Sequence, residues 1–94
     1  MKFNKSCVEG YLRGALMMMR NLGYECHSLE WRWHDGTKGT TLGIVFQRGE
    51  PGDDAALVLD SFCLGLMDFE PHLHLVCLDE MDGGMGATAV LDVI

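Results

Sequence analysis

Ninety-four residues, 48% of them apolar and only two of them proline, are enough for one small domain with a packed core and argue against a disordered chain. The formal charge of −7 is lopsided: residues 1–48 hold seven Lys and Arg against four acids, whereas residues 49–94 hold ten acids and no Lys or Arg. Nucleic acid is therefore not expected as a direct ligand, because the acidic half repels phosphate, while a basic protein partner becomes the electrostatic match.

No apolar run approaches the roughly 18 residues that cross a bilayer, so no membrane partner is expected. The segment Met1-Lys2-Phe3-Asn4-Lys5-Ser6 lacks the apolar core of a secretory signal. A cytoplasmic location is the expectation. Cys7, Cys26, Cys63 and Cys77 are widely spaced and form no Cys-x-x-Cys. In a reducing compartment they read as free, mostly buried thiols.

In chain order, the first period is helical. Val8, Tyr11, Leu12, Ala15, Leu16, Met19 and Leu22 recur at i, i+3, i+4 spacing. Asn4 or Ser6 is placed to cap the start, and Gly23 to stop the helix. The period then drops to two. Leu29, Trp31 and Trp33 alternate with Glu30, Arg32 and His34, which predicts a half-buried strand. Asp35-Gly36-Thr37-Lys38-Gly39 is hairpin turn chemistry, and Leu42, Ile44 and Phe46 alternate on the return.

Gly49-Glu50-Pro51-Gly52 breaks the chain, and Asp53 or Asp54 suits the positive end of a second helix running to about Phe69. Pro71 forbids its continuation. His72–Glu80 reads as a third strand, Met81–Gly86 as a glycine-rich turn, and Ala87–Ile94 as a fourth strand.

The order α-β-β-α-β-β is an internal repeat, with halves 1–47 and 48–94 at a displacement of 47. Asp35-Gly36-x-x-Gly39-x-Thr41 recurs as Asp82-Gly83-x-x-Gly86-x-Thr88, and His27 recurs as His74. Two such units predict an α+β fold: one four-stranded antiparallel sheet of order 1-2-4-3 with both helices on one face. That is a permuted ferredoxin-like topology, an analogy of topology that carries no function. The helix-facing set is predicted as Leu29, Trp31, Trp33, Leu42, Ile44, Phe46, Val76, Leu78, Ala89, Leu91 and Val93. Leu73, Leu75, Cys77, Val90 and Ile94 then fall on the open face, where an apolar patch marks an interface.

A second interface or cleft is expected on the helices, at Gly10, Gly14 and Met17 of the first and Leu57 and Leu64 of the second. Trp31 and Trp33 are expected in the core, or else, with His27, beside a small-molecule cleft. His72 and His74, two apart on a strand, are candidate metal ligands, with solvent-exposed imidazoles as the plainer reading. The acids at Asp79, Glu80 and Asp82 lack the spacing of a calcium loop. No nucleophile–base–acid set and no phosphate loop is evident, so neither an enzymatic role nor a cofactor is expected. The expectation is a small acidic protein-interaction module, homodimeric, acting by contact. The alternative is a small-molecule- or metal-binding protein.

Overall fold

The computed structural model describes residues 3–21, 28–48 and 54–94. Helix α1 spans Lys5–Asn21. Asn4 caps it: its Oδ1 accepts the backbone N–H of Ser6 at 2.8 Å and of Cys7 at 3.4 Å, two of the donors a helix leaves orphaned at its start. The apolar stripe turns Val8, Leu12 and Met19 into the core. Strands β1 (Ser28–Gly36) and β2 (Gly39–Gln47) form a hairpin around Thr37-Lys38, in which Gly39 takes φ 130°. The expectations for Gly23, Cys26, His27, Asp53 and the break at 49–52 fall outside the described residues.

Helix α2 runs from Ala55 to Phe69. Asp54 occupies its N-cap position yet makes no capping bond, because its carboxylate reaches Arg48 instead. At the far end Glu70 is extended, at φ −130° and ψ 93°, the region that a following proline imposes. Strand β3 (Leu73–Glu80), the short 3-10 turn Asp82–Gly84 and strand β4 (Gly86–Val93) complete the chain.

All four strands pair antiparallel in the order β1-β2-β4-β3, so the fold is α+β with the two returning strands central. Both helices cover one face. Val8 and Leu12 of α1, and Leu59, Cys63 and Leu66 of α2, share a core with Leu42, Ile44 and Phe46 of β2 and with Ala87, Ala89 and Leu91 of β4. Burying each large aliphatic side chain contributes about 1.5–3 kcal/mol, and that sum is what holds a chain of this size folded.

Strand β3 departs from the expected alternation. Leu75 pairs with Leu91 and Cys77 with Val90, so Val76 is an extra residue opposite β4, a β-bulge. One inserted residue reverses the facing of everything before it. Leu73 and Leu75, expected on the open face, therefore lie under α2: Leu73 is buried, and the Leu75 backbone N–H donates to the Met67 sulfur at 3.3 Å. Val76, expected to face the helices, is 54% exposed, while Leu78, beyond the bulge, faces inward as expected.

The hairpins also fall out of match: the second turn is two residues longer, so Leu78 opposite Ala89 takes the place of Trp33 opposite Leu42. The bulge adds a third, so His74 opposite Asp92 takes the place of Glu30 opposite Val45 and is not the counterpart of His27. The second turn is likewise a 3-10 turn with positive φ at Gly83 and Gly84, unlike the first.

Candidate functional site

The two tryptophans of β1 lie on the helix side. Their indole N–H groups both donate to Glu9 Oε2 of α1, each at 3.1 Å. A carboxylate oxygen has lone pairs for both, and the pair of bonds, with help from Arg13 and Lys5, lowers the Glu9 pKa from its ordinary value. Arg13 lies over the Trp31 ring at 5.5 Å and Lys5 over the Trp33 ring at 5.4 Å, and the Phe3 ring meets Trp33 edge-on. With a cation over each ring and both N–H groups engaged, this cluster ties α1 to the sheet edge. Lys5 continues to Asp35 at 3.0 Å, and Thr40 donates to the same carboxylate, which is why Asp35 also titrates low.

A cleft of about 730 Å3 opens elsewhere on α1, between it and α2. Gly10, Tyr11, Gly14, Met18 and Met19 form one wall, and Val58, Ser61 and Phe62 form the other. A Cβ built on Gly10 or Gly14 would meet nothing within 4 Å, so these glycines are not required by packing inside the chain. Gly65 differs: a Cβ there would strike the Tyr11 hydroxyl, and its absence lets the Tyr11 ring cross α2 and stack on Phe69 at 5.0 Å. Arg48, just after β2, and Asp54 also line the cleft and form an ion pair.

No family model, curated protein or solved structure matches this chain.

The structure separates the expected site residues into three groups. Gly10 and Gly14 line the cleft, while Met17, Leu57 and Leu64 are more than half exposed on the outer surface of the helical layer. Trp31 and Trp33 are bound to Glu9 and do not line it. On the open sheet face the patch narrows to Val45, Val76, Cys77 and Val90, flanked by Glu30, Arg32, His34, Asp79 and Asp92. Ile94 is 73% exposed at the edge of the sheet.

The two candidate metal ligands diverge. His72 precedes β3, so strand alternation does not align it with His74. Its Nδ1 meets Glu70 Oε1 at 2.5 Å, and its ring lies edge-on to Phe3, whereas His74 is exposed on the open face. The hydrogen bond from His72 holds the Glu70 carboxyl below its ordinary pKa. Among the described residues, no three His, Cys, Asp or Glu side chains converge on one point, and no helix is long and apolar enough to cross a membrane.

The thiols also differ from expectation. Cys7 and Cys77 are exposed, and only Cys63 of the described three is buried; burial, with Asp60 nearby, pushes its pKa up to about 11. Sequence reasoning missed the roles of Glu9, Arg48 and Gly65. The one available signal was the glutamate four residues before Arg13 on a helix otherwise matched to the tryptophan strand. Nothing local marks Arg48 or Gly65.

Proposed function

We propose that the chain is a small acidic protein-interaction module of the cytoplasm that works as a homodimer through its helical layer. The observation that carries this reading is the apolar outer surface of that layer. Met17, Met18, Leu57 and Leu64 are each 57–69% exposed, beside two helix glycines with open space around them. Each such glycine costs about 1 kcal/mol of helix stability relative to alanine, and nothing within the chain offsets that cost. A close-packed neighbour does, because glycine admits the closest approach of another backbone.

A second copy is the partner whose charge fits. Helix α1 carries three basic residues against one acid, and α2 carries two acids and no base. A twofold arrangement laying α1 of one copy on α2 of the other matches opposite charges twice. The open sheet face is the weaker candidate, because removal of Leu73 and Leu75 to the core leaves it a narrow apolar strip among charged residues.

Sedimentation or light scattering over a wide concentration range tests the reading. The expected result is a dimer that Leu64→Glu combined with Met17→Glu dissociates, and that Val90→Glu leaves assembled. A chain that is monomeric at every concentration, or one dissociated only by Val90→Glu, overturns it.

A further inference from the structure

We infer that the cleft between α1 and α2 binds a long-chain carboxylate, whose head group is taken by Arg48 and whose tail lies along Gly10 and Gly14. The volume, about 730 Å3, is that of small-molecule sites in general, and such sites combine apolar walls with a few placed polar groups. The walls here are Tyr11, Met18, Met19, Val58 and Phe62, with open floor at the glycines. An unbranched alkyl chain suits a groove walled by methionines, which re-shape around their contents.

The head group is argued from Arg48. Its side chain is only 14% exposed. Its Nε is buried with no hydrogen-bond partner among the described residues, and Nη1 meets Asp54 as an ion pair that lacks hydrogen-bond geometry. A buried donor left unpaired is among the costlier features a fold can carry. A guanidinium presents a planar fork, and a carboxylate accepts two parallel bonds from it. Asp54 is open to solvent, its side chain 58% exposed, so water can take it in exchange for Arg48. An incoming carboxylate would displace it into solvent, where Asp54 and the ligand still repel each other. Asp54 therefore sets the affinity from above, and Arg48 sets the choice of head group.

The site belongs to a single chain, but its floor at Gly10 and Gly14 is also where the neighbour in the proposed dimer approaches, so tail and neighbour compete for that surface. It also lies on a different face of α1 from Trp31 and Trp33, so it is not the tryptophan-lined cleft that the sequence suggests.

The test titrates the whole chain with dodecanoate and, separately, with dodecanol, both below their aggregation limits, and follows backbone amides and methionine methyls by NMR. Dodecanoate is expected to shift Gly10, Gly14 and Met18, and dodecanol to bind about tenfold more weakly, the effect of one charge-assisted hydrogen-bonded pair. Arg48→Met should weaken dodecanoate by about tenfold and leave dodecanol unchanged, and Asp54→Asn should tighten dodecanoate. Asp54 is exposed, so its variant remains informative if Arg48→Met fails to fold. Gly14→Leu should block both probes in a chain that still melts cooperatively. Equal affinity for the two probes, shifts confined to residues away from the cleft, or no binding overturns the inference. Recording the oligomeric state before either probe is added separates the two proposals, because a chain that is monomeric without ligand and still discriminates the probes refutes the dimer and leaves the site standing.

Discussion

Gly43 and Val90 face each other across the central strands β2 and β4, and they stand 47 positions apart in the chain, the displacement of the sequence repeat. They mark a pseudo-twofold axis through the sheet. The neighbouring pairs exchange across it: Leu42–Leu91 maps onto Ile44–Ala89, and Thr41–Asp92 onto Val45–Thr88. The symmetry holds at the axis and fails in β3, which the longer second turn offsets by two residues and the bulge at Val76 by a third.

That failure yields the first prediction. Deleting Val76 removes the one unpaired residue and leaves Leu73, Leu75 and Leu78 facing the core in regular alternation. The deletion should change the unfolding free energy in urea by less than about 1 kcal/mol. Deleting Val90 instead would turn half of β4 inside out, and that variant should show no cooperative unfolding.

The glycines of α1 have opposite consequences for stability and association. Gly10→Ala and Gly14→Ala add Cβ atoms into open space and should each stabilise the isolated chain by about 1 kcal/mol. In the dimer the same methyls stand where the neighbour approaches, so dissociation should become easier as the melting temperature of the monomer rises. Concentration-dependent thermal melts separate the two effects.

Gly86 is the contrasting case. A Cβ there would run into the Phe46 carbonyl oxygen and crowd Met81 and the Gln47 backbone, at the start of the central strand. Backbone cannot yield as a flexible side chain does. Gly86→Ala should cost about 1–3 kcal/mol by chemical denaturation, whereas Gly65→Ala, which meets only the tip of Tyr11, should cost less and disturb the Tyr11–Phe69 stack seen in near-ultraviolet circular dichroism.

Acid should destabilise the fold through Glu9, Asp35 and Glu70. Each titrates lower in the folded chain than its ordinary value of 4.5 for the glutamates and 3.8 for the aspartate. On acidification the unfolded chain therefore takes up these protons first, so the stability they contribute is complete above about pH 4.5 and is lost as pH falls through the folded pKa values. Urea midpoints at pH 7, 4 and 3 should fall in that order, and Glu9→Gln should flatten part of the slope while releasing Trp31 and Trp33 to a changed fluorescence.

The cysteines should label in two classes. Under native conditions a thiol reagent, followed by peptide mass spectrometry, should modify Cys7 and Cys77 quickly and Cys63 only on unfolding, because Cys63 is buried and its thiol ionises only near pH 11.

Periodicity and turn residues determined the elements and their order, because burying one face of a helix or strand writes its period directly into the residues: the stripe from Val8 to Met19, and the alternations Leu29-Trp31-Trp33 and Leu42-Ile44-Phe46. The repeat and the greater apolarity of the two returning strands determined the sheet arrangement. What only the tertiary structure decided depends on pairing between distant segments. The bulge at Val76 is invisible in a run such as Leu73-His74-Leu75-Val76-Cys77-Leu78, where apolar residues fill both phases and only the register against β4 selects one. The cleft is likewise a product of how far apart two helices stand, and the placing of Arg48 in its lining, of Glu9 against two indoles and of Gly65 beside Tyr11 comes from contacts between residues that no local pattern relates.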